Sequence, residues 1–208
     1  MGDGKDEMAF LRSSIGTDTG PIVRGRRIVL RAPQMSDYAA WARVRQLSRE
    51  HLAPWEPTWA RDELTRSAFR RRIRHYQREM RDDLGYAFFI FADADDALLG
   101  GLTLSNVRRG VTQACALGYW LGAHHVARGY MREAVGVVAT FAFERLRLHR
   151  IEAACLLHNA ASIAVLRHCG FTHEGLARRY LKINGEWQDH VLFARLSDDP
   201  PPVEVRSP

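Results

Sequence analysis

The sequence has no run of about 18 consecutive apolar residues, so nothing in it reads as a membrane-spanning helix. Its first ten residues, MGDGKDEMAF, are acidic and polar and do not have the layout of a signal peptide. Cysteine is scarce. Cys115, Cys155 and Cys169 are widely spaced and form no Cys-x-x-Cys pair. That spacing argues against a disulfide frame and against any metal site, and predicts reduced, buried thiols in a cytoplasmic protein. None of the three lies in an obviously electropositive, histidine-paired setting that would make it a nucleophile. Internal repeats are also absent.

What is present is an ordinary soluble composition in 208 residues, long enough for one core without staples. The formal net charge is +6, and the arginines behind it are clustered. Arg24, Arg26, Arg27 and Arg31 bracket one segment; Arg66, Arg70, Arg71, Arg72, Arg74, Arg78 and Arg81 load another. Such a surplus suits a nucleic acid, an acidic partner or a polyphosphate cofactor. The second cluster reads as the solvated face of a helix, with a weak RNA or ribosome contact left open.

Residues 1–20 read as a flexible leader and 198–208 as a loose, proline-rich tail. Between them, Arg26 to Arg31 predicts a first strand, stopped by Ala32-Pro33. Ser36 or Asp37 caps a helix to about Leu47. The segment HLAPWEPTW at 51–59 holds two prolines and reads as a rigid loop presenting two indoles and Glu56. A long helix is expected over 61–81. Tyr86 to Ala92 (YAFFIFA) reads as a strand buried on both faces, followed by strands at 98–104 and 113–121 in a meander. Strand 150–156 after a helix at 130–145 makes a right-handed βαβ unit with parallel strands. Asn159 caps a short helix ending near Gly170, and Asn184-Gly185 turns a final hairpin.

The stretch HVARGYM, His125 to Met131, sits between an aromatic strand and the helix it opens. A helix N-terminus has unpaired amides and a positive dipole end, and Gly129 lets an anion approach the backbone. Around it lie HLAPWEP (51–57), GYWLG (118–122), GYMREA (129–134), HRIEA (149–153), NAASIAVLRHCGF (159–171), EGLARRYLKINGEW (174–187) and DHVLFA (189–194). With the element order, these phrases resemble the Gcn5-related N-acetyltransferase (GNAT) family, and within it the RimJ/RimL type that acetylates ribosomal-protein N-termini. The resemblance spans roughly Val23 to Leu196. It implies an α/β (α+β) GNAT fold, with a mixed central sheet of about seven strands and about four helices over residues 21–197.

The resemblance further implies acetyl-CoA as co-substrate. The family's diphosphate loop falls on Val126, Ala127, Arg128, Gly129, Tyr130 and Met131. Val126 departs from the usual first residue. A backbone amide at Trp120 or Leu121 meets the thioester carbonyl, and Asn159 and Ser162 lie toward the pantetheine arm and thiol. Glu56, Trp55 and Tyr119 are the residues expected toward the acceptor amine. For the base, the sequence offers Glu56, Glu174 and Asp189 without ranking them, and His190 beside Asp189 reads as structural.

An α-amine, with a pKa of about 7.7–8.0, is partly neutral at pH 7. A lysine near 10.4 costs about 3.4 kcal/mol more to deprotonate. The lack of an obvious strong base therefore favours an N-terminal acceptor. The alternatives are a small-amine acetyltransferase, a coenzyme A binder without catalysis, and an RNA-binding module. The expected assembly is a monomer or a homodimer, with no membrane partner.

Overall fold

The structure, a computed structural model, describes residues 20–201. The expected leader, apart from its last residue, and most of the expected tail lie outside the described residues. Eight strands form one mixed sheet in the order β1-β2-β3-β4-β5-β6-β8-β7. They are β1 (Ile22–Arg24), β2 (Ile28–Arg31), β3 (Tyr86–Ala92), β4 (Leu98–Arg108), β5 (Ala114–Leu121), β6 (Arg150–Leu156), β7 (Thr172–Ile183) and β8 (Glu186–Leu196). The helices are α1 (Tyr38–Leu47), α2 (Arg49–Leu52), α3 (Arg66–Arg81), α4 (Tyr130–Thr140) and α5 (Ala160–His168).

The eighth strand, β1, lies just ahead of the segment expected to hold the first one. Instead of a single strand from Arg26, β1 and β2 make a hairpin, with the Gly25 amide donating to the Ile28 carbonyl at 2.8 Å. A side chain at Gly25 would collide with Glu133, since an added Cβ would lie 2.6 Å from its Oε1. The last turn of the expected first helix continues as α2, which takes in His51 and Leu52 from the segment expected to be loop. The long helix begins at Arg66 rather than Arg61 because Thr65 caps it, accepting from the Ala68 amide at 3.2 Å. Strand β4 runs past its expected end to Arg108. Asn106 has φ +51° and the register with β5 shifts there, so a bulge stands where a turn was expected.

The YAFFIFA strand is buried on both faces, as its continuous apolar run predicts, and its two faces belong to two cores. Phe88 and Ile90 join Met131, Ala134, Val135 and Val138 of α4 and Leu166 of α5. Phe89 and Phe91 join Trp41 of α1 and Phe69 and Ile73 of α3. Helices thus cover both faces of the sheet. Met131 of α4 is 5 % exposed and packs in the core. Of the arginine-rich helix, Arg71 pairs with Asp62 and Arg72 with Glu63, while Arg70, Arg74, Arg78 and Arg81 are exposed. Among the described residues no helix is long and apolar enough to cross a membrane.

Gly100 and Gly101 in β4 lie against Trp120 of β5. A Cβ at Gly100 would stand 2.2 Å from the Trp120 carbonyl oxygen, and one at Gly101 2.7 Å from Nε1 of its indole. Replacing Gly100 by Ala should cost about 1–3 kcal/mol by forcing these strands apart. Urea unfolding with no measurable loss would show that the close approach is not required.

Candidate active site

The parallel strands β5 and β6 are paired over Ala114–Leu117 and Arg150–Ala153 only. Both then continue, β5 to Leu121 and β6 to Leu156, without pairing to each other. Gly118 onward therefore presents an open backbone edge toward β6. The gap is a cavity of about 180 Å³, lined by Gly118, Tyr119, Cys155, Asn159, Ser162 and His190, with Trp55, Leu181 and Ile183 also on its wall. Small residues keep it open. An added Cβ at Gly118 would meet nothing within 4 Å.

Each parted strand runs into a helix. After β5, Gly122 to Gly129 forms the turn picked out in the sequence. Ala127 has φ +58° and Gly129 φ +77°, so the backbone curls ahead of Tyr130. Residues 126–129 are exposed, and the first amides of α4 have no intrahelical partner, an arrangement chemically suited to an anion. Ser48, 2 % exposed, accepts from the Ala123 amide at 2.9 Å and ties the turn's entry to α1.

Arg27 braces the other side of the turn. It donates to the Arg128 carbonyl at 3.2 Å, and its Nε and backbone amide both donate to Glu133. Along the chain Arg27 is one of a cluster. Nothing local links it to a loop 101 residues away. His125, beside the turn, has its pKa lowered, by burial first and by Arg128 next.

After β6, Asn159 caps α5. Its side-chain oxygen accepts from the Ser162 amide at 3.0 Å. The Ser162 hydroxyl lies 2.8 Å from the Tyr119 hydroxyl. Tyr119, expected at the acceptor, thus has its polar end at Ser162. Burial, the largest cause, raises its pKa, so it stays a neutral phenol. Cys155 lines the same cavity, and burial pushes its thiol up to about 11. At neutral pH it is a thiol and a poor nucleophile.

The segment 53–59, after α2, closes the opposite side. Trp55 faces the cavity and packs on His158, with ring centroids 5.3 Å apart. Glu56, expected to meet a cationic amine, has both oxygens engaged. Arg45 donates to them at 2.6 and 2.7 Å, and Trp59 Nε1 donates to Oε2 at 2.7 Å. Arg45 is itself 5 % exposed and is stacked by Trp59 and Trp120, 4.3 and 5.0 Å from their ring centroids. The Glu56 carbonyl accepts from the Asn184 amide at 3.0 Å, which pins the loop to the last hairpin.

The other carboxylates are also committed. Arg150 holds Glu174 below the usual carboxylate range. Asp189 accepts from the Arg179 amide at 2.8 Å. Of the residues expected for the diphosphate end, Val126, Ala127, Arg128 and Gly129 lie on the exposed turn and Tyr130 opens α4. Met131 can contribute only its backbone, because its side chain is in the core. Trp120 and Leu121 lie on the open edge of β5. Among the described residues, no cluster of His, Cys, Asp and Glu is arranged to hold a metal ion.

Residues 27–172 match the Acetyltransferase (GNAT) domain. The chain belongs to the GNAT family of N-acetyltransferases. It is 36% identical over 178 residues to "Probable N-acetyltransferase YjcK" of Bacillus subtilis, which spans 86% of this chain and 98% of the relative. It is 32% identical over 173 residues to the "[Ribosomal protein uS5]-alanine N-acetyltransferase" of Escherichia coli, covering 83% and 89%. Among solved structures it superposes on Mycobacterium smegmatis RimJ in complex with CoA-disulfide. That match has a TM-score of 0.77 and 34% identity, and it covers 86% of each chain. In this GNAT chain the RimJ/RimL likeness read from local phrases and the relatives found by comparison agree.

Arg45 takes most of its charge out of water and forks onto Glu56, with Glu63 4.0 Å from its Nη2. Changing Arg45 to Met should strand Glu56 and cost about 3 kcal/mol. Pairing that change with Glu56→Gln should recover part of the loss, because no charge is then left alone. Chemical unfolding of the two single variants and the double variant measures the coupling, and strictly additive effects would refute it.

Proposed function

We propose that this GNAT enzyme transfers the acetyl group of acetyl-CoA directly to the α-amine of a protein N-terminus. The observation that carries the reading is the state of the carboxylates. Glu56, Glu174 and Asp189 are each tied to a cation or an amide, and among the described residues no carboxylate lines the cavity. That arrangement suits an amine already partly neutral at pH 7 better than a lysine side chain. The likeness to a uS5-alanine acetyltransferase supports the same acceptor, and the exposed row Arg70, Arg74, Arg78 and Arg81 suits a ribosomal setting rich in phosphate.

On this reading the diphosphate of the co-substrate rests on the amides of residues 127–131, at the positive end of α4. Its pantetheine arm lies in the gap between β5 and β6, as an extended chain paired to the open edge of β5. The thioester carbonyl then meets a backbone amide near Trp120 or Leu121, a fixed dipole aimed at the charge that develops on oxygen. The amine arrives from the side of Trp55 and forms the C–N bond while the C–S bond breaks. The departing sulfur faces the N-terminus of α5, where the Ser162 hydroxyl donates to it and is backed by the Tyr119 phenol.

Glu56 has a positioning role, holding the 53–59 segment through Arg45. Cys155 stays a bystander thiol, which makes the transfer direct rather than through an acyl-cysteine.

The acceptor is tested with acetyl-CoA, an alanine-starting peptide, the same peptide blocked at its α-amine, and a panel of polyamines, aminoglycosides and amino acids. Thiol release and peptide mass are followed. Acetylation of the free α-amine alone is expected. Turnover only with small amines would move the acceptor to that class, and coenzyme A binding without any turnover would reduce the protein to a binder.

Two replacements test the thiol end. Ser162→Ala should lower kcat about tenfold or more with acetyl-CoA affinity little changed. Cys155→Ala should leave kcat within about twofold, since a thiol held up near 11 contributes no thiolate. A Cys155→Ala enzyme that releases no thiol would refute direct transfer.

A further inference from the structure

We propose that His190 is the catalytic base that takes the proton from the acceptor ammonium, an assignment that rests on the cavity being the acetyl-transfer site. His190 lies on β8, is 2 % exposed and lines the same cavity as Asn159, Ser162 and Tyr119. A buried histidine needs a reason to be there, because an unpaired ring nitrogen in a dry core is costly. Only one of its nitrogens is explained by the fold. Nδ1 lies 2.9 Å from the carbonyl oxygen of Gln188. A carbonyl only accepts, so Nδ1 carries the hydrogen and Nε2 carries the lone pair. Nε2 has no hydrogen-bond partner among the described residues. The ring is held in place by Tyr180, whose edge packs on it at 5.9 Å.

This is the arrangement of a positioned general base: an orienter on one nitrogen and a free lone pair on the other, in a cavity. The competing groups are spoken for. Glu56 is clamped by Arg45 and Trp59, and Glu174 and Glu152 are paired with Arg150. Asp189 is the strand neighbour of His190, so its side chain points to the other face of β8, where it accepts from Arg179. His158 lies outside, against Trp55.

The protons balance. An ammonium acceptor brings three hydrogens on nitrogen. One passes to Nε2 of His190 and on to solvent, leaving the neutral amine that attacks the acetyl carbon. A second leaves the nitrogen as the tetrahedral adduct collapses and ends on the coenzyme A sulfur through Ser162. The third stays on the amide. His190 returns to its starting state after each turnover, and no other reactant is consumed.

The test uses two replacements in the full chain. His190→Asn places an amide nitrogen near the position of Nδ1, keeps the bond to Gln188, and removes Nε2. It should lower kcat by about 100-fold, at the low end of general-base contributions, while the KM for acetyl-CoA and the melting temperature stay near wild type. His190→Ala leaves a ring-sized space, and added imidazole should restore its kcat by tenfold or more while leaving wild type unaffected.

If His190→Asn keeps kcat within about threefold of wild type, the proposal fails while the acetyltransferase reading stands. Should the Asn variant not fold, rescue of the Ala variant by imidazole upholds the base and its absence overturns it. A wild-type protein that acetylates no amine removes both readings together.

Discussion

The hydrogen bonds that β5 and β6 do not make with each other govern the rest of this molecule. Their parallel ladder stops at Leu117 and Ala153, although each strand runs on for several residues. Beyond that point the sheet is held on either side, by β4 against β5 and by β8 against β6. The parting therefore costs no loss of fold. It does leave backbone edge, which can be satisfied by a ligand of extended shape. Each strand delivers its chain directly into a helix, so the N-termini of α4 and α5 open at the carboxyl ends of two diverging parallel strands. Ligand sites in α/β sheets gather at such a place because free amides and helix dipoles converge there.

Arg45 keeps the third wall of that space in position. Its guanidinium lies nearly out of water, sandwiched between Trp59 and Trp120 and forked onto Glu56. Trp120 can lie there because Gly100 and Gly101 have no side chain beneath it. One chain of contacts thus runs from the glycines of β4 through an indole and an arginine to a loop that faces the cavity and is tied to Asn184. A buried ion pair of this kind adds little net stability, but it is expensive to break in half. It therefore defines one position for the loop. The loop's tryptophan, Trp55, faces the cavity as a consequence.

Much of this could be read along the chain. The Asn159 cap, the glycine turn at Gly129, the Asn184-Gly185 hairpin and the doubly buried β3 are local features, each set by a few neighbouring residues and their period. The family likeness extended them to a fold and to a co-substrate. Other features could not be read this way. Gly25, at the β1–β2 turn, leaves room for Glu133 from a helix far along the chain, and the bulge at Asn106 belongs to the pairing with β5. Met131 had a motif position, but the exact rotation of α4 sends its side chain into the core. Glu56 looked like a free carboxylate because its partner arginine lies on the preceding helix, and nothing in the spacing singled out that arginine from its neighbours.

Local phrases carried the family likeness, and the sequence by itself determined the strand-turn-helix around Gly129, the cap that places Ser162 and the doubly buried β3. These follow from composition, periodicity and short-range backbone chemistry, which act over a few residues. Tertiary structure alone decided which charges are spent and which lone pairs remain. Glu56, Glu174 and Asp189 are bound by Arg45, Arg150 and the Arg179 amide. His190, which reads as structural in the sequence, kept a free nitrogen in the cavity. Availability for chemistry depends on what every other group in reach has already bound, and those partners are brought together only by folding.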